Sequence, residues 1–337
     1  MGKKTAIAGM GILLILVALG ALWIGQYPFS IEEYIAALKS LVGLESGIEE
    51  GRVRAVGNIL WDIRLPRILA AILVGASLAV AGAAFQGLFV NPLVSPGILG
   101  VLQGASFGAG LGMLFSKPTI IIQLSAFAFG FLAVLLALFI SRVYGKNRSI
   151  LMLVLGGMIS SSFFGALLSL IKYVADPNNA LPAIVYWLMG SLASVQLEGV
   201  GAVSIPMGIS ILMLVGLGKH LNLMSLGEEE ALAMGVEVKR IRLVVIFLGT
   251  LLGSLSVMLS GVIGWVGLVI PHIARLLIGA DHTYLIPFCA LLGGVFLLVV
   301  DSVARVATSV EIPLGILTAL VGIPVFLGVL HRSFKKA

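Results

Sequence analysis

The groups able to do chemistry are few and scattered. His220, His272, His282 and His331 stand at no metal-ligand spacing from one another or from the single cysteine, Cys289, which excludes an internal disulfide framework. Gly2-Lys3-Lys4-Thr5 lacks the preceding glycine of a phosphate-binding loop. No Ser-His-Asp arrangement and no pair of catalytic carboxylates follows from spacing. Asp301 is the best candidate for a proton relay at membrane depth. Arg305 lies four residues on, so a same-face ion pair, structural or at the surface, is the competing reading. Arg64 and Arg67 are three residues apart on one helical face, where arginines at a helix end ordinarily snorkel to the interface. The remaining group is acidic: Glu228, Glu229 and Glu230, inside the polar stretch KHLNLMSLGEEEALAMGVEVKRIR from Lys219 to Arg242.

Composition decides what must position these groups. The chain has 337 residues, 60% hydrophobic and 11% charged, with a mean hydropathy of +1.16. Soluble domains carry about 25% charge, so this is an integral membrane protein. Its apolar runs break into segments of about 20 residues without period-two alternation, which favours a helical bundle over a β-barrel.

In chain order, Lys3 and Lys4 precede an apolar stretch from Ala6 to Ile24. It is longer than a signal-peptide core, although Ala18-Leu19-Gly20 resembles a cleavage site, and reads as an uncleaved first helix. Tyr27 to Asp62 is the longest non-membrane stretch. Pro66 suits the start of the next helix, and Asn91-Pro92-Leu93-Val94-Ser95-Pro96-Gly97 breaks the chain. A helix from Gly97 to Phe115 carries Gly100, Gly104, Gly108 and Gly112 at four-residue spacing, a ridge for close helix packing that Gly157, Ser161 and Gly165 repeat. Spans follow at Thr119–Ile140, Ile150–Ile171, Val200–Leu217, Leu243–Trp265, Leu285–Val303 and Pro313–Leu330. Two pieces are too short to cross: one around Tyr186 and Trp187, suited to an interface, and one around Pro271. Met10 and the other methionines show no convergent cluster and read as packing, as does His272.

These segments make about ten helices and place both termini on one side. Lys3, Lys4, Arg142, Lys146, Arg148, Lys219, Lys239, Arg240, Arg242, Arg332, Lys335 and Lys336 share that side, which the positive-inside rule makes the cytoplasm. The net charge of +6 is thus topology rather than nucleic-acid binding. Arg52, Arg54, Arg64, Arg67 and Arg305 stay outside, more than the rule leaves there without a reason. Within the polar island, Ser225 and Glu228 stand at capping-box spacing and Gly235 suits a left-handed stop. A helix of about two turns is marginal alone. Either a partner holds it or the island is a solvated loop.

Several blocks carry a family resemblance: RLPRILAAILVGASLAVAGAAFQGLFVNPLVSPGILGVLQGASFG, GEEEALAMGV, and the stretch from GVIGWVGLVIPHIARLLIGADHTY through VVDSVAR to EIPLGILTALVGIPVFLGVL. In this order they closely resemble the FecCD-type permeases of bacterial and archaeal ABC importers, from Arg64 to the C-terminus. The resemblance implies an all-α polytopic membrane protein of about ten transmembrane helices with a cobalamin-importer-permease-like bundle, one domain over 1–337 with a cytoplasmic coupling loop at 219–242. It implies a homodimer in the cytoplasmic membrane, both termini inside. Two ABC ATPase subunits would lie below, using ATP and magnesium that this chain does not bind, and a periplasmic or lipid-anchored substrate-binding protein above. Gly227, Glu228, Glu229, Glu230, Ala231, Met234 and Gly235 then become the ATPase-coupling surface, with a secondary contact around Asp281 and His282. Arg64, Arg67 and Arg305 become docking forks for carboxylates on the binding protein. Asn91 and Leu93 become part of a cytoplasmic gate, beside the plain reading of a stiff turn, and Asn147 to Ser149 line the same constriction. The implied cargo is a metal chelate such as a ferric siderophore, haem or cobalamin, or an oxyanion such as molybdate or tungstate. The residues alone leave open an ion-coupled secondary carrier; a structural subunit of a redox complex lacks haem or iron–sulfur ligand spacing.

Overall fold

Why these segments become helices is set by the bilayer: an apolar run has nowhere to satisfy its peptide groups except within itself. The computed structural model describes residues 2–41, 47–144 and 150–334. Its helices are α1 (Lys3–Ala21), α2 (Ile31–Leu41), α3 (Glu50–Asn58), α4 (Leu65–Leu88), α5 (Val101–Leu114), α6 (Thr119–Tyr144), α7 (Ile150–Val174), α8 (Ala180–Leu188), α9 (Leu197–Gly216), α10 (Gly218–Met224), α11 (Glu228–Ala233), α12 (Val238–Ser260), α13 (Val266–Ile278), α14 (His282–Val306) and α15 (Leu314–Phe334). Among the described residues, seven helical stretches are long and apolar enough to cross a membrane, and α5, α13 and part of α15 are shorter apolar helices. Together they match the expected ten.

α4 is the axis. It packs against α14, α12, α13 and α9, and almost every residue from Val74 to Leu88 is buried. Its small residues allow this. An added Cβ on Gly75 would collide with the backbone carbonyl of Gly293 in α14, and one on Gly82 with that of Gly267 in α13. The α5 ridge does the same against α6, where Gly104 and Gly108 meet the carbonyls of Phe129 and Ser125, and Gly157 meets the carbonyl of Ile98. Gly165 is looser: a Cβ there has only the Gln103 Oε1 at 3.9 Å. The packing reading of this spacing holds for the tight positions.

One local expectation is refined and two are corrected. Pro66 stands second in α4, as a helix-start proline does, but no break precedes it: α3 runs through a π-helical turn, Ile59–Arg64, straight into α4. The wider turn carries the helix past a residue that has no N–H to give. α5 begins at Val101 rather than Gly97, because Pro96–Leu99 form a 3₁₀ turn and Gly100 is left-handed at φ 89°. The island is shorter than the sequence suggests, since Lys239, Arg240 and Arg242 already belong to α12.

The bundle has two distinct ends. Lys3, the 89–100 segment, α10, α11 and the 279–281 turn meet at one, where Lys3 Nζ lies 3.6 Å from the Asp281 carboxylate. Residues 22–41 and 47–64 and the 307–313 turn meet at the other, where the Gln26 amide donates to the carbonyls of Thr308 and Ser309.

Gly75→Ala should force α4 from α14 and cost about 1–3 kcal/mol, read as a lower melting temperature in detergent. Gly208→Ala, where an added Cβ finds nothing within 4 Å, should not.

Candidate functional site

At the α10–α11 end, α11 is closed by two glycines. Gly227 precedes it at φ 136°, a conformation that disfavours any side chain. After it, Gly235 sits at φ 80°; its N–H donates to the Leu232 carbonyl and that of Val236 to the Ala231 carbonyl, a complete Schellman stop. The expected glycine stop is there. The expected capping box is not: Ser225 Oγ donates to the Asn222 carbonyl, and Glu228 instead accepts from Arg242 Nη2 of α12 at 2.6 Å. The three glutamates occupy the first turn, where the helix dipole favours them.

One assigned residue faces the wrong way. Ala231 is completely buried against the protein's own core, so it holds α11 down and is not available to a partner. The free surface is Glu229, Glu230, Leu232 and Met234, with Leu226 beside them; Leu226, Leu232 and Met234 are 55–60% exposed. Leu232 was missed, although its position one residue past the buried Ala231 is the signal that a helical-face count gives.

Beneath α11, Asn222 of α10 reaches the start of α14. Its amide donates to Asp281 Oδ1 at 2.7 Å, and its oxygen accepts the His282 N–H at 2.7 Å. Asp281 caps α14 through the Thr283 N–H, and the Asn222 amide, more than any other group, holds its carboxyl below the usual range. The segment expected as a secondary contact is thus tied inward, to α10.

Asn91 and Leu93 lie in the turn after α4. The Leu93 N–H donates to Asn91 Oδ1 at 2.9 Å, so Asn91 shapes the turn, while the Leu93 side chain is 57% exposed. Asn147 to Ser149 lie outside the described residues.

The opposite end carries the arginines, and here the docking expectation is corrected. Arg64, Arg67 and Arg305 are 3–5% exposed and already engaged. Arg67 places Nε 2.8 Å from Asp301 Oδ1 and Nη1 2.8 Å from Glu311 Oε1. Arg305 pairs with the other Asp301 oxygen at 3.2 Å and donates to the Ile24 carbonyl at 3.0 Å. Arg64 donates to the carbonyls of Leu22 and Tyr27 and lies 4.3 Å over the Phe29 ring. Guanidinium groups bound on these sides have no fork to offer an outside carboxylate. The Asp301–Arg305 pair exists but is internal, with Asp301 fully buried. His272 is a packing residue, its Nδ1 2.9 Å from the Leu268 carbonyl and its ring edge-on to Phe326.

The model of the FecCD transport family matches residues 12–332. The chain is 42% identical to the molybdate import system permease protein MolB of Haemophilus influenzae, over 97% of this chain and 95% of that protein. It is 38% identical to the hemin transport system permease protein HmuU of Yersinia pestis, over 84% and 86%. A solved inward-facing structure of an ABC transporter assigned to the metal-chelate type superposes with a TM-score of 0.87 at 40% identity, covering 98% of this chain and 99% of that one.

Asp301→Asn should leave two buried arginines short of charge and cost about 3–5 kcal/mol. Replacing the triad by Arg67→Met, Asp301→Leu and Arg305→Met should recover part of that loss, as measured by thermal unfolding in detergent.

Proposed function

The chain belongs to the FecCD transport family, and from that premise we propose that it is one half of the membrane pathway of a binding-protein-dependent ABC importer for a metal chelate. As a permease of that family it is a multi-pass membrane protein and not itself an enzyme. Two copies enclose the path, two ATPase subunits drive it, and a separate substrate-binding protein delivers the cargo. The α10–α11 end faces the cytoplasm, and both termini share that side. Its concentration of Lys3, Lys4, Arg142, Lys219, Lys239 and Arg240 supports this orientation. The outward arginines cease to be an exception, because Arg67, Arg305 and Arg52 are paired with carboxylates.

The observation that carries the reading is α11 itself. A six-residue helix would not persist alone, yet it is stopped at both ends by glycine and pinned by Ala231 and Glu228. It presents acidic and apolar side chains together. In this proposal Glu229, Glu230, Leu232 and Met234 enter a groove on the ATPase; Gly227, Glu228, Ala231 and Gly235 fix the helix that carries them. Leu93 belongs to the inner gate and Asn91 holds its turn. At the outer end Arg64, Arg67 and Arg305 support the binding-protein surface from beneath, leaving Glu311 and the Glu33–Arg52 pair nearer its face. A tetrahedral oxyanion is the second cargo reading, favoured by the likeness to the Haemophilus permease.

Leu232→Asp combined with Glu229→Lys should reduce the ATPase recovered with the purified permease by about tenfold or more, with the permease's own melting temperature unchanged. Undiminished co-purification would overturn the coupling role.

A further inference from the structure

The contacts below α11 form a continuous chain that ends at the gate turn. α11 rests chiefly on α10 and α12, whereas α10 packs on α14 and α4. Asn222 is the polar tie between α10 and α14. Since its oxygen accepts the His282 backbone N–H, the same oxygen, 2.9 Å from His282 Nδ1, accepts there too, and Nδ1 carries the ring proton. The Asn222 amide is committed to Asp281 and lies 3.4 Å from Thr283 Oγ1. The imidazole is therefore held from behind at a fixed angle.

Its other edge meets α4. His282 Nε2 lies so close to Gly87 that a Cβ there would overlap the ring. The adjacent Gln86 accepts from Arg275 of α13 through Oε1, and its backbone carbonyl accepts the Asn91 N–H at 3.2 Å. His282 Nε2 and Gln86 Nε2 are both buried without a hydrogen-bond partner, one an acceptor and the other a donor. Leaving both unmade is costly.

We infer that Asn222 is the positioning residue that converts displacement of α10–α11 into movement of the gate turn, by driving the His282 ring against Gly87 at the end of α4. The inference rests on the coupling role proposed for α11 and adds a route that this role does not specify. Asn222 touches neither cargo nor nucleotide. It makes α10 and the start of α14 move as one body, so a push on the short helix is not lost in the loop between them. Without it the ATPase still binds and still hydrolyses, but its stroke does not reach residues 89–95.

The test uses the permease purified with its ATPase in nanodiscs, carrying Leu93→Cys; Cys289 is fully buried and stays as it is. Maleimide labelling at position 93 is timed without nucleotide and after trapping with ATP and vanadate. With Asn222 intact the rate should change by about fivefold or more between the two states, and in Asn222→Asp, which keeps the shape but loses the donor to Asp281, by less than about twofold. ATPase association and hydrolysis should stay near the parent's. Asn222→Ala should behave alike. A full change retained in both variants overturns the inference, as does a parent whose position 93 never responds. Loss of ATPase association or a collapsed melting temperature in Asn222→Asp also overturns it, by making the residue a structural tie. Failure of the α11 role shows separately, as an ATPase that stays bound to the Leu232→Asp, Glu229→Lys permease.

Discussion

An apolar helix surface gains nothing by leaving lipid for another apolar helix, so a membrane bundle is held by the closeness of its contacts. In this protein the closeness is concentrated on α4. Gly75 faces Gly293, Gly82 faces Gly267, and Gly87 receives His282, so that α14, α13 and α14 again touch the α4 backbone at successive depths. Phe85 fills the space left by Gly249 of α12. A rigid axis of this kind lets the surrounding helices tilt as bodies, because a packed contact has alternative seats rather than a soft continuum.

The buried charges extend the same logic to the end that carries residues 307–313. Asp301 accepts from Arg67 on one oxygen and is ion-paired with Arg305 on the other, and Arg67 reaches on to Glu311, so α4, α14 and the turn before α15 are joined by one network. Its net worth in stability is small or even negative compared with an apolar replacement. What it contributes is registry: the chain cannot slide along α4 without parting charges in a low-dielectric region. Arg64 does the equivalent for the 22–29 segment using backbone carbonyls. The surface at this end is therefore supported by Arg64, Arg67 and Arg305, which do not themselves appear on it.

Spacing within one helix was legible, and meetings between distant segments were not. The four-residue glycine ridge, the Asp301–Arg305 pair and the Gly235 stop all lie within a few residues and follow from helix geometry. Arg67 lies 234 residues from Asp301 and 244 from Glu311 in the chain, and no local pattern announces that it joins them. The capping box failed for the same reason, since Arg242, fourteen residues on, competes for Glu228. Ala231 was misassigned because a motif names residues without saying which way they face. Asn222 carried no signal at all: its role exists only once α10 and α14 lie side by side. The number and order of spans came through well, since hydropathy is a local property.

The two ends of the bundle thus solve opposite problems with similar means. At the end that carries residues 307–313, Arg67, Asp301 and Arg305 are locked inward, while Arg52–Glu33 and Arg54–Glu50 pair nearer the surface. At the α10–α11 end a weak helix is displayed on the surface, and its weakness is offset by ties to the two elements behind it, Glu228 to α12 and Asn222 to α10's neighbour α14. These ties differ in kind. The Glu228–Arg242 contact joins a half-exposed carboxylate to a buried guanidinium, so solvent reaches it from the glutamate side alone. Asn222 is wedged among a backbone N–H, a carboxylate and a ring, and yields only as a unit. In the proposed coupling, a force on α11 passes through α10 and Asn222 to the start of α14, because that amide, unlike the ion pair to α12, touches the ring that abuts α4.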